Sequence, residues 1–166
     1  MAGMAASTPA IGALIRARVP HVVHSYPHDP RSDNYGDEAV AALSERVGVS
    51  AEQIFKTLVI ELSTGAAAVA VVPVPRSLSL KAAAAALGAP RAAMADKVKA
   101  QRITGYVLGG VSPLGQRRAL PTVIDDSASN WDRVLCSAGR RGLEIELAPA
   151  DLIRLTTAVT APVAGP

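Results

Sequence analysis

Two apolar runs, Ile54–Leu62 and Ala67–Pro73, lie either side of Ser63-Thr64-Gly65. The first is rich in β-branched residues and the second interleaves Val with Ala. β-Branched side chains pack well on a pleated surface, and a short turn ending in Gly between two such runs reads as a hairpin. A lone hairpin is marginal in water, so the rest of the chain has to cover it. Of the 166 residues, 49% are hydrophobic but only 3% are aromatic, so that cover must come from Val, Leu, Ile and Ala. The length favours one domain, residues 1–166, with a core over about 11–158 and peripheral termini.

The other elements follow from caps and periodicity. Thr8–Val19 reads as a helix, with Thr8 as N-cap and Pro9 in the first turn. Gly36–Val47 places Ala39, Val40, Leu43 and Val47 at helical spacing and stops at Gly48. Ser79–Leu87, Ala95–Arg102 and Pro149–Leu155 read as further helices. Short strands are expected at Val22–Tyr26, Tyr106–Leu108, Thr122–Ile124, Val134–Cys136 and Leu143–Leu147. Strands and helices mix without strict alternation, which predicts an α+β fold with a largely antiparallel or mixed sheet.

Several classes are excluded. The apolar stretches Ala66–Pro75 and Ala82–Leu87 are too short to span a bilayer. Arg16 and Arg18 follow the first apolar run instead of preceding it, the wrong order for a secretory signal. One cysteine gives no disulfide framework. A reduced cytoplasmic protein with no membrane partner fits these features. The net charge of +3 is unevenly placed. Residues 76–118 hold eight basic side chains against Asp96 alone, while residues 1–60 hold five against six acids. A basic middle third is either a set of solvated faces or a surface that tracks phosphates.

Candidate chemistry is sparse. Lys56 interrupts the first apolar run. It is either an edge-strand lysine or a cation aimed into a cleft, where it could hold a phosphate or ribose. Gly109-Gly110-Val111-Ser112-Pro113-Leu114-Gly115-Gln116 lacks both the Walker ending and the dinucleotide spacing. Its glycines let backbone approach a ligand closely, or they make an ordinary tight loop. Cys136-Ser137-Ala138-Gly139-Arg140-Arg141-Gly142 is a hairpin turn or a second N–H donor loop, with Cys136 buried in the strand pattern. His21, His24, His28 and Asp29 lie in a Pro-broken extended segment, so no metal is expected. A triad of Ser112 or Ser137 with His24 and Asp125 has no Gly-x-Ser-x-Gly elbow to support it.

In order along the chain, Phe55-Lys56-Thr57-Leu58, Met94-Ala95-Asp96, Thr104-Gly105-Tyr106, the 109–116 run and Ser137–Gly142 form a set. His24-Ser25-Tyr26 and Gly36-Asp37-Glu38-Ala39 belong with it. Together they resemble the YbaK (EbsC) family, free-standing relatives of the editing domain of bacterial prolyl-tRNA synthetases. The resemblance runs over about residues 11–155. It implies an α+β single domain whose central mixed, mostly antiparallel, barrel-like sheet is flanked by helices. It implies an aminoacyl-tRNA deacylase acting on Cys-tRNA(Pro), with Cys-tRNA(Cys) as a further candidate. The implied partners are the aminoacylated tRNA(Pro) acceptor end and prolyl-tRNA synthetase, and no cofactor is implied. Lys56, Gly109, Gly110 and Ser137 match the catalytic positions. Tyr26, Ser112, Pro113, Gly115, Ala138, Gly139 and Gly142 match substrate-binding positions. Arg140 departs from a Lys found in many members.

The chemistry needs no protein nucleophile, because an aminoacyl ester is already activated and the main demand is positioning and an oxyanion site. Either water attacks, or the substrate's own thiol does. An intramolecular attack can gain roughly 7–11 kcal/mol, part of it consumed by ring strain. One methylene in an apolar pocket discriminates by only about 1–3 kcal/mol, so a substrate nucleophile explains selection of cysteine better than fit alone. The alternatives are a water-using deacylase of Ala-tRNA(Pro) and a non-catalytic module that binds tRNA or a synthetase.

Overall fold

Thr8 opens the first helix of the computed structural model, which describes residues 7–166. Its hydroxyl accepts the Ile11 N–H at 3.1 Å, and Pro9 occupies the first turn of α1 (Pro9–Arg16). β1 (Val22–Ser25) follows, then α2 (Tyr35–Val47), closed by Gly48 in the left-handed conformation. The expected hairpin is present as β2 (Phe55–Leu62) and β3 (Ala67–Pro73), paired antiparallel from Phe55↔Pro73 to Glu61↔Ala67. Next come β4 (Ser77–Leu78), α3 (Leu80–Ala86), β5 (Ala92–Met94) and α4 (Lys97–Thr104). Ser79 caps α3 through the Ala82 N–H, and Asp96 caps α4 through the Lys99 N–H. β6 (Thr122–Asp125), β7 (Val134–Arg140), β8 (Leu143–Leu147), α5 (Pro149–Thr156), β9 (Val159–Ala161) and β10 (Ala164–Gly165) complete the chain.

Three sheets result among the described residues. The largest has the order β5-β2-β3-β6-β9, antiparallel around β2 and parallel at β3/β6 and β6/β9. β1-β8-β7 is antiparallel throughout, and β10-β4 is a small pair. β3 is buried on both faces. Val69 and Val71 enter one core with Leu14, Ile124, Cys136, Ile145 and Leu152. Ala68, Ala70 and Val72 enter a second with Ile60, Ala83, Ala84 and Val163. Small alanines let α3 sit close to the sheet, which suits a chain short of aromatics.

The α+β class and the mostly antiparallel, mixed pairing hold. Among the described residues the sheets do not close into a barrel. β7 packs beside the start of β2, joined to it by one parallel bridge at Ile54↔Leu135, and β5 and β9 end the large sheet. Tyr106–Leu108 is not a strand. Tyr106 Oη donates to Leu114 O at 2.7 Å and Gly110 N–H to Val107 O at 2.9 Å, which curl the segment into the following loop. Ser137–Arg140 is not a loop but the end of β7, carrying an irregularity in register before a tight turn at Arg141-Gly142. The stretch after residue 158 is integrated, with Val163 fully buried and the Val163 and Ala164 N–H groups both given to Asp125 Oδ1 at 3.0 Å.

Candidate active site

The bridge at Ile54↔Leu135 is where the two larger sheets meet, and the cavity opens just beyond it. Two residues further along each parallel strand stand Lys56 and Ser137, and both line it. β5 reaches only Ile60–Leu62, and at the Lys56 end that edge of β2 is met by β7, joined among the described residues by the one bridge at Ile54↔Leu135. Lys56 is therefore not an edge-strand lysine in the ordinary sense. It stands on an inner strand, where β7 and not β5 runs beside it and the cavity opens.

The cavity has a volume of about 380 Å³. Its walls come from the start of β2, the end of β1 at Tyr26, the first turns of α2 at Tyr35, Gly36 and Ala39, and the loop at Leu108-Gly109. Ser137 of β7 and Glu144 of β8, which face each other across the strand pair, complete it. The chain has five aromatic residues, and Tyr26, Tyr35 and Phe55 all line this one space.

Four of the expected residues, Lys56, Gly109, Ser137 and Tyr26, are thus brought together. The others lie outside the lining and build its supports. Gly110 lies against the Arg140–Arg141 backbone and Gly115 against Pro9 in the first turn of α1. Ser112 is fully buried, its hydroxyl accepting the Leu114 N–H, and Pro113 is buried beside it. Ala138 O accepts from the Thr8 hydroxyl, Gly139 abuts Tyr106, and Gly142 O accepts the Tyr26 N–H at 2.9 Å. The expected donor set also narrows. The Gly110 N–H is engaged by Val107 O and the Gly139 N–H by Ser137 Oγ at 3.2 Å.

Gly109 has a particular task. A Cβ there would lie 2.4 Å from Tyr35 Cγ, so only glycine lets the tyrosine ring lie flat against the loop. Arg141 holds the ring from another side, its guanidinium 4.6 Å from the ring centre and its Nε–H given to Leu108 O at 2.7 Å. Arg140, the departure from the family pattern, is exposed.

The electrostatics are asymmetric. Burial lowers the Lys56 ammonium below the ordinary lysine range, opposed by Asp37. Its Nζ donates to Val74 O at 3.3 Å. Burial pushes the Glu144 carboxyl up to about 8. Burial, then the Glu144 and Glu38 charges, raise the Tyr26 phenol. Thr57 also lines the cavity, and its buried hydroxyl has no hydrogen-bond partner.

Sequence reasoning missed Tyr35, Thr57 and Glu144. The scarcity of aromatics could have flagged Tyr35. Glu144-Ile145-Glu146 reads as a strand with its acids toward solvent, but Tyr26 and the start of α2 lie over the first glutamate across the cavity.

The histidines are engaged elsewhere. His24 Nε2 meets Glu146 at 2.8 Å and His28 Nδ1 meets Glu38 at 2.6 Å. His21 Nδ1 lies 2.8 Å from Val19 O. Asp125 binds the N–H groups of Ser127, Val163 and Ala164, so the paper triad is scattered. Among the described residues no three metal-ligating side chains gather at one point. Cys136 is buried in the main core, and burial raises its thiol well above the usual range.

Residues 37–155 match the aminoacyl-tRNA editing domain family. The chain belongs to that family. This editing domain is 33% identical over 135 residues to EbsC of Enterococcus faecalis, named there as a candidate Cys-tRNA(Pro)/Cys-tRNA(Cys) deacylase. The alignment spans 80% of this chain and 82% of EbsC. The crystal structure of a candidate trans-editing enzyme for prolyl-tRNA synthetase superposes on the editing domain with a TM-score of 0.79 at 26% identity, over 98% of this chain and 100% of that one. A scaffold protein used for grafting linear epitopes superposes with a TM-score of 0.78 at 27% identity, over 97% and 99% of the two chains. The resemblance to the YbaK/EbsC family read from the motifs is therefore upheld. Among the described residues no helix is long and apolar enough to cross a membrane.

Proposed function

We propose that the protein is an aminoacyl-tRNA deacylase that clears Cys-tRNA(Pro) in trans, the cysteinyl thiol attacking its own ester carbonyl. The observation that carries this reading is a small cavity with a cation and close-approaching backbone, and with neither cysteine nor histidine in its lining. Cys136 is outside it, and Ser137 Oγ, within it, accepts from Gly139 and has no histidine near it in the lining.

In the step proposed, the thiol sulfur gives up its proton and bonds to the carbonyl carbon. The carbon–oxygen ester bond breaks, and the terminal ribose oxygen leaves with a proton as a hydroxyl. The four-membered thiolactone then opens in water. Lys56 orients the terminal nucleotide by its phosphate or ribose. Cavity donors, the Gly109 N–H among them, steady the carbonyl oxygen as charge builds on it. Lys97 at the cavity rim, with the exposed Arg91, Arg102, Arg117 and Arg118, meets the acceptor-stem phosphates.

A deacylation panel tests this: Cys-, Ala- and Ser-charged tRNA(Pro), each with and without prolyl-tRNA synthetase. The expected result is cleavage of the cysteinyl ester at least tenfold faster than the other two. Alanyl ester cleaved at a similar rate would sink the thiol route in favour of water.

A further inference from the structure

One cavity group has no task in that scheme. Glu144 is 6% exposed and lines the cavity from β8, opposite Ser137 and His24 in register. His24 is turned to Glu146, and Ser137 Oγ is engaged by Gly139. Burial alone moves the Glu144 carboxyl, and among the described residues no cation or hydrogen-bond donor offsets it. Such a group weakens a fold, and a neutral side chain of the same size would fill the space without that penalty.

Lys56 is in the same cavity but does not neutralise it. The charge that Lys56 feels is Asp37, from the α2 side. Tyr26 is the neighbour that feels Glu144. The cavity therefore holds a cation and an acid that do not bridge one another: Lys56 Nζ is turned to Val74 O. A complementary ligand carries an anion and an amine separated by a short linker. The 3′-terminal nucleotide of an aminoacyl-tRNA has that pattern, a phosphodiester on one side and an α-amino group on the other.

We propose that Glu144 anchors the α-amino group of the bound aminoacyl ester, so that the cavity accepts esters with a free α-amine and rejects N-blocked ones such as peptidyl esters. The identity of this ligand rests on the deacylase reading. When acid and neutral amine meet, the carboxyl proton passes to the nitrogen and leaves a carboxylate–ammonium pair, with no proton exchanged with solvent. Burial has already brought Glu144 up to about 8, in the range of α-amines, so this transfer is nearly balanced.

The test is binding of two stable amide probes by calorimetry. One is 3′-cysteinylamino-3′-deoxyadenosine 5′-phosphate. The other is its desamino counterpart, with 3-mercaptopropionyl in place of cysteinyl. The wild-type protein should bind the amine-bearing probe at least tenfold tighter. Glu144→Gln should bring the two within twofold while leaving the desamino affinity unchanged, and Glu144→Asp should keep part of the preference. Thermal unfolding of both variants establishes that they fold. Equal affinities in the wild type, no binding of the amine-bearing probe, or a preference that survives Glu144→Gln would each overturn the anchor. Cys-tRNA(Pro) turnover separates the two readings. Preference without turnover retains the anchor and overturns the deacylase, and turnover without preference does the reverse.

Discussion

At Ile60 and Glu61, β2 is hydrogen-bonded on both sides, to β3 and to β5, whereas from Phe55 to Leu58 it has β3 on one side and, past the single bridge to β7 at Ile54↔Leu135, the cavity on the other. The complete end carries buried apolar side chains, Ile60 and Leu62, that join the second core. The incomplete end carries a burial-strained ammonium and a hydroxyl without a partner. One strand thus divides its labour: stability is held where the ladder is full, and capacity for a ligand where it stops.

Lys56→Ala is expected to lower kcat/KM for Cys-tRNA(Pro) by at least about 100-fold, near 3 kcal/mol of transition-state stabilisation. Its melting temperature should stay near the wild-type value. Ile60→Ala should do the opposite, losing about 2–5 kcal/mol in urea unfolding with kcat of the folded fraction unchanged. If both variants lose activity and stability together, the division within β2 is broken.

The opposite wall offers a pH test. Glu144 ionises near 8 in the folded chain against an ordinary value of 4.5. Between those values the native state keeps a proton that the unfolded chain has lost, so this group's stability is full below about 4.5 and falls away up to about 8. Glu144→Gln is expected to match the wild type near pH 4 and to exceed it above pH 8 by on the order of a few kcal/mol. Melting curves across that range check the sign, and an equal offset at both extremes would contradict it.

Two glycines sharpen the contrast. Gly109 and Gly65 both have positive φ, +80° and +95°, but a Cβ on Gly109 meets the Tyr35 ring and a Cβ on Gly65 meets nothing within 4 Å. Gly65→Ala, in the turn between β2 and β3, should cost about 1–2 kcal/mol and leave turnover intact. Gly109→Ala should add a roughly tenfold fall in kcat/KM as Tyr35 is displaced, read in the same deacylation assay. The smallest effect is expected from Thr57→Val. It removes an unpartnered buried hydroxyl, so the empty protein should gain up to about 1 kcal/mol while turnover drops a few-fold.

How far these features were legible depends on what made them. The β2–β3 hairpin is local chemistry, and its runs were readable to within a residue. α1 was readable from Thr8 and Pro9. α4 was displaced by two residues because the true cap is Asp96, one residue beyond the expected start at Ala95. β4, β5, β9 and β10 escaped, since two or three residues such as Ala164-Gly165 have no pattern of their own and exist through pairing, here with Leu78 and Ser77. Tyr106 carries strand propensity, yet its hydroxyl is held by Leu114 O and the chain turns. Lys56 stood out as the one lysine in an apolar run. Glu144 did not, because a strand that alternates acid and apolar residues looks alike whether its polar face meets water or a cavity.

Trp131 is the sole tryptophan, and it packs against the main core away from the cavity. Tyrosines Tyr26 and Tyr35 form part of the cavity wall. The protein therefore carries two optical reporters in separate places. Indole emission follows the integrity of the main core and stays constant when the cavity fills. Phenol absorbance and emission respond to occupancy. A single titration read in both bands distinguishes a ligand that binds from a condition that unfolds.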